Sequence, residues 1–356
     1  MRLRSLLISI ITVLLGITVS VPAQASIGDV WAFAYNDKPA PGPVFGLMDP
    51  SHQWTPTGPA SEVRSYGTGR YEVRFAKTAN KVGIPHVTAV NPKPHYCQLV
   101  GWKPSFSTGY EHVWVDCYAF GGVPADSRFT VMFTGSSGFS PFGTDKHAYI
   151  HSAYDGTILD EYNSEGLANY VGWGGPGTGE WKVWLPMSGP PDESGNFQAT
   201  AVNDKPARCK ISEWYPGASG QTVVVRCYDY NSKPFDTGWT LSYNRERPVV
   251  GAIGPPKLFG YVWVNPALPS QTNYNSLGAV NTVFFGPGQY LVTFPKVGML
   301  EDHVQVTAFG KGSEHCGLED LWGTSGGNAV VRNVNCFDEF GKRAKSDSFV
   351  AYTSRN

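Results

Sequence analysis

Charge is scarce in this chain: of 356 residues only 16% are Asp, Glu, Lys or Arg, and the formal net charge is −1. Such near-neutrality leaves no electrostatic footprint for nucleic acid or an anionic membrane surface. Helical periodicity is missing as well. No stretch of useful length repeats its apolar residues every three or four positions, so helix is expected to be negligible. Beyond the first 25 residues no segment is long and apolar enough to span a bilayer. Nor is there a phosphate-binding loop, an EF-hand loop or an Asn-x-Ser/Thr sequon.

Glycine (41), proline (27) and aromatic residues (13%) are plentiful instead. That balance suits an all-β extracellular protein rich in turns. Residues 1–25 read as an export signal: Arg2 and Arg4, an uncharged apolar run over 6–21, then Pro22-Ala23-Gln24-Ala25. Cleavage after Ala25 is expected, the alternative being an uncleaved anchor. Losing Arg2 and Arg4 with the signal would take the net charge from −1 to −3.

Six cysteines in an exported chain point to disulfides. They fall into three phrases that recur along the chain. Cys97, Trp102, Cys117, Asp126 and Phe129 are followed by Cys209, Trp214, Cys227, Asp236 and Trp239, then by Cys316, Trp322, Cys336, Asp347 and Phe349. If the phrases fold alike, each pairs its own cysteines: Cys97–Cys117, Cys209–Cys227 and Cys316–Cys336. Chain-entropy arguments give each such loop roughly 3 kcal/mol. The alternative is free buried thiols.

Other segments recur in step. Gly69-Arg-Tyr71, Gly179-Glu-Trp181 and Gly288-Gln-Tyr290 each open an alternating strand. Tyr71, Val73 and Phe75 share one face of the first, as Trp181, Val183 and Leu185 and then Tyr290, Val292 and Phe294 share one face of the others. The reading is three tandem antiparallel β-sandwich repeats of about 100 residues, over 28–137, 146–246 and 257–356, with connectors near 138–146 and 247–257. An immunoglobulin signature is excluded, because its two cysteines lie far apart whereas these flank one hairpin.

These residues resemble a tandem repeat of uncharacterised secreted bacterial proteins. Its pattern runs Gly-x-Tyr-x-Val-x-Phe, Val-Thr-Ala, Cys-x4-Trp, Val-x-Cys-Phe and Asp-Ser-x-Phe. The third unit carries Gly288 to Phe294, Val306-Thr-Ala308, Cys336-Phe337 and Asp347-Ser348-Phe349, with one extra residue between Cys316 and Trp322. The second departs with Asp236-Thr-Gly-Trp239. The resemblance implies export and a β fold, and no reaction, since the family has no established activity.

Positions that stay alike in all three units read as scaffold, and positions that differ in one unit are free to form a surface. Trp102, Trp214 and Trp322 are scaffold on this test, each expected over its own disulfide. Asp126, Asp236 and Asp347 read as turn-makers bonding backbone N–H groups. Trp184 stands where the other units have Arg74 and Thr293, so it is expected to point outward. Trp114 aligns with Val224 and Asn333, while Trp173 and Trp54 are placed in loops. Exposed indoles mark binding surfaces; these four are the candidate ligand-binding residues, with contacts between units as the other reading.

No catalytic or metal-ligating set emerges, and no cofactor is implied. His147 and His151 share a strand face roughly 13 Å apart, too far for one ion. Gly323-Thr-Ser325-Gly-Gly327 superficially resembles a protease nucleophile loop, but a glycine-rich hairpin loop explains it and no partner His or Asp is visible. The expected function is secreted, non-catalytic recognition of a carbohydrate or cell-surface polymer. The alternative is a protein–protein interaction module such as an inhibitor, toxin-complex or surface-assembly subunit.

Overall fold

The computed structural model describes residues 29–135, 143–187, 192–265 and 273–356. The expected export signal and part of the first connector lie outside these. The described chain is all-β, with no helix, and is built on three sheets and three disulfides. The disulfides are Cys97–Cys117, Cys209–Cys227 and Cys316–Cys336, each linking directly paired positions of one hairpin. They are consistent with an extracellular environment.

Each sheet draws strands from two of the three expected units. The nine-stranded first sheet joins Val30–Asn36, Ile84–Val90 and Arg128–Gly135 to Gln289–Phe294, His315–Leu318 and Asn328–Phe337. The ten-stranded second sheet joins Arg70–Ala76, Tyr96–Ser105 and Tyr110–Ala119 to Lys146–Ser152, Asn196–Val202 and Gly238–Arg245. The eight-stranded third sheet joins Glu180–Pro186, Ala207–Gly217 and Gly220–Asp229 to Phe259–Val264, Asp302–Phe309 and Asp347–Ser354. At each junction the chains run parallel, through Leu318↔Val90, Val202↔Leu99 and Ile211↔Phe309, so the sheets are mixed where alternation alone suggests purely antiparallel ones.

Cores lie between the sheets. Ala34 and Val131 of the first meet Val73 and Val113 of the second; Ile150 and Leu241 of the second meet Trp181 and Val225 of the third; Val262 and Val350 of the third meet Val292 and Val331 of the first. The expected inward faces are buried throughout: Tyr71, Val73, Phe75, Trp181, Val183, Leu185, Val292 and Phe294 are all at 0% exposure.

Where the sheets converge, a polar ring closes. The backbone N–H of Val306 donates to the Thr88 hydroxyl at 3.0 Å, that of Ala199 to Thr307 at 3.1 Å and that of Val87 to Thr200 at 3.5 Å. Thr88 and Thr307 donate onward to Gln305 (2.8 Å) and Gln198 (2.9 Å), and His86 lies 3.1 Å from the Thr200 hydroxyl. Buried polar groups are tolerated when so paired. The connector 247–257 is no tether. Val249, Val250 and Ala252 pack with Phe33, Met132, Tyr261 and Ala351, and buried Arg247 holds Asp145 at 2.7 Å.

The three aspartates are not alike. Asp126 and Asp236 precede their strands and accept the N–H groups of Gly69 (2.7 Å) and Gly179 (2.8 Å), more than fifty positions away. Asp347 sits inside its strand, paired with Phe309, and does not play that part. Trp214 and Trp322 are buried and Trp102 half-buried, with indole N–H groups donating to Gln221, Asp302 and the Gly83 carbonyl respectively.

Candidate functional site

A row of outward aromatics crosses the third sheet. Register sets Tyr170 beside Trp184, Trp184 beside Thr222, and Thr222 beside Tyr215. Partners in register share a face, and the intervening Val171, Val183 and Val223 pack into the core, so this face is the outer one. Tyr170, Trp184 and Tyr215 are 56%, 39% and 53% exposed. The rings of Tyr170 and Trp184 stack at 5.4 Å and 26°. Three strand spacings make the row about 14 Å long.

A glycine-rich turn sets this register. Gly175, Gly177 and Gly179 have positive φ between Tyr170–Trp173 and Glu180–Pro186. At Gly179 a Cβ would lie 2.5 Å from the Cys227 carbonyl oxygen, so only glycine fits. The Asp236 carboxylate then ties down the N–H groups of Gly177 and Gly179.

Polar groups border the row. Lys182, two residues before Trp184, shares its face and is exposed, while Glu213 pairs with Lys311 at 2.6 Å and accepts the Tyr215 hydroxyl. Hydrogen bonds from Lys311 and Tyr215 hold the Glu213 carboxyl below the ordinary carboxylate range, and Glu213 raises the Tyr215 phenol. Flat ring faces flanked by fixed donors and acceptors can stack on an apolar ligand face and bond its polar edge.

The like places elsewhere hold other chemistry. On the second sheet they are Glu62, Arg74, His112 and Lys103, with Arg74 bonded to Glu62 at 2.6 Å and its guanidinium over Phe45 at 4.0 Å. On the first sheet they are Thr282, Thr293, Val330 and Gly323.

The four candidate tryptophans are not brought together. Trp184 points outward as expected. Trp114 is half-buried on the second sheet, beside His112 at 6.2 Å. Trp173 is not in a loop: it closes the strand Tyr170–Trp173 and, two places from Val171, turns inward against the core. Trp54 also lies in a strand, Gln53–Trp54, against Trp31 (6.2 Å) and under the Arg355 guanidinium (5.7 Å). Tyr170 and Tyr215 were missed, although the Gly-Pro-Gly turn after Trp173 was a signal that Tyr170 faces Trp184. Ser325 lies at the tip of a hairpin whose Gly326 and Gly327 have positive φ. Among the described residues no three His, Cys, Asp or Glu side chains converge as a metal-ligand set.

The fold and this row define an all-β, disulfide-bonded protein with an exposed aromatic row on its third sheet. Compared with known proteins, the chain matches no family model, no curated protein and no solved structure.

Proposed function

We propose that this is a secreted, non-catalytic recognition protein that binds a carbohydrate or other cell-surface polymer along Tyr170, Trp184 and Tyr215. The observation that carries the reading is three aromatic side chains, each at least 39% exposed, in register on one sheet face. Leaving such surface in water is costly, and Trp and Tyr are the side chains favoured where an apolar body must meet a polar partner. The row's length of about 14 Å suits an extended chain of rings better than a single small molecule. We read the scaffold as three copies of one disulfide-stapled sandwich wound so that neighbouring copies share sheets. In its support, Asn163 and Asn275 make the same bonds, each to an asparagine six residues on and to a proline carbonyl, Pro186 or Pro295.

Retention on insoluble polysaccharides tests the function. Wild-type protein is expected to be retained and Trp184→Ala to be released; equal retention of both sinks the reading. A protein partner is the second reading. It is favoured by the edge strand Thr282–Gly286 of the first sheet, where Phe284 and Phe285 are 75% and 41% exposed. Binding to a protein lost on Phe284→Ser but not on Trp184→Ala would support it.

A further inference from the structure

The structure assigns a second site, independent of the aromatic row: we infer that a small monovalent anion binds in the cavity lined by Tyr96, Arg208 and His315, where the three sheets converge. These residues immediately precede Cys97, Cys209 and Cys316, and the parallel junctions bring them to one place although they lie more than a hundred positions apart in sequence. The cavity has a volume of about 50 Å³ and reaches the ring threonines Thr88, Thr200 and Thr307. A water needs about 10–15 Å³ on this measure, so the space suits an anion of at most about four non-hydrogen atoms and excludes a sugar.

The sign of the ligand follows from the buried cations. Four are buried among the described residues: Lys146, Arg208, Lys210 and Arg247. Lys146 holds Glu165 at 2.5 Å, Lys210 holds Glu314 at 3.1 Å and Arg247 holds Asp145 at 2.7 Å. Arg208, only 7% exposed, has no ion pair; Asp229 acts on it from beyond ion-pair distance. One of its Nη atoms donates to Ser232 at 2.8 Å, its Nε has no partner, and its face lies 5.1 Å over the Tyr96 ring. A buried guanidinium with no counter-charge in contact is expensive.

The other two side chains offer donors. Tyr96, 5% exposed, has an unpartnered hydroxyl. His315, 7% exposed, has no hydrogen-bond partner at either ring nitrogen; burial, with Arg208 and Lys210 nearby, holds its imidazole well below the ordinary 6.5, so it is neutral and offers one N–H. Its ring packs edge-on to Tyr96 at 5.7 Å. A guanidinium N–H, a phenol O–H and an imidazole N–H around one small space form a donor set that complements an anion and repels a cation.

Bromide is the probe. Crystals of the intact protein grown in bromide are expected to show an anomalous peak among these three side chains, and the wild-type melting temperature should rise with bromide at constant ionic strength. In Arg208→Met the peak should vanish and the rise should fall at least about threefold. Water alone in the cavity, or a crystal peak with no bromide-dependent melting shift, would overturn the inference. Should Arg208→Met not fold, Tyr96→Phe and His315→Phe decide: weakened bromide response in both supports the site, and an unchanged response in both refutes it. Polysaccharide retention is read on the same variants and is expected to be unchanged, which separates this site from the aromatic row.

Discussion

Trp184 and Tyr170 stand side by side on adjacent antiparallel strands with rings 5.4 Å apart, while Trp181, three residues from Trp184, is wholly buried against Trp239. One strand thus carries a tryptophan that the fold needs and one that it does not. Trp184→Ala is expected to cost no more than about 1.5 kcal/mol, the worth of an aromatic pair. Trp181→Ala should cost about 3–5 kcal/mol through the cavity it leaves. Urea unfolding of both variants checks the contrast; similar losses would make Trp184 a structural residue.

Buried histidines, His86, His147 and His303 among them, make the protein acid-sensitive. Burial holds the imidazoles of His86, His147 and His303 at about 3, against an ordinary 6.5. The unfolded chain therefore takes up these protons first as pH falls. The stability they permit is complete above about pH 6.5 and is lost between about 6.5 and 3, on the order of 2 kcal/mol per histidine at pH 5. His86→Gln places there the residue found at Gln198 and Gln305. It should flatten the fall in unfolding free energy between pH 6 and 4 by about 1.4 kcal/mol per pH unit, measured by urea titration; an unchanged slope would show that His86 does not stay neutral.

The aspartates separate in the same kind of experiment. Asp236→Ala removes the acceptor of two turn N–H groups and should cost about 1–3 kcal/mol. Burial pushes the Asp347 carboxyl up to about 6 from an ordinary 3.8, so ionising it costs the fold stability progressively over that window and in full above about pH 6. Asp347→Asn is expected to cause no loss at pH 8. Equal losses in the two variants would restore the aspartates to one shared role.

Much of this fold was legible because alternation and cysteine spacing are local. Tyr71, Val73 and Phe75 announce an inward face by sequence alone, and the hairpin between Cys97 and Cys117 needs no distant partner. What local pattern does not carry is which strand lies beyond the hairpin. The junctions Leu318↔Val90, Val202↔Leu99 and Ile211↔Phe309 are single parallel pairings between distant segments. They leave no periodic trace, so the sharing of sheets was hidden. Counting from cysteines also fails at bulges: Tyr290 pairs with Val334 but Val292 with Val331, with Asn333 at φ 52° taking up the extra residue. A one-residue error of that kind exchanges faces. At the candidate site, Trp184 was found because its like positions are Arg74 and Thr293. Tyr170 and Tyr215 needed cross-strand register, and Trp173 was misplaced because its strand runs to the edge of a glycine-rich turn.

The binding role of the aromatic row is tested most directly by an equilibrium dissociation constant for a soluble form of whichever polysaccharide retains the protein. Wild type, Trp184→Ala and Tyr170→Ala are compared with Trp114→Ala, which lies on another sheet. Each of the two row variants is predicted to weaken binding at least about tenfold, a loss of about 1.4 kcal/mol, with Trp114→Ala within about twofold of wild type. Row variants that bind as wild type does, or a loss confined to Trp114→Ala, would contradict it.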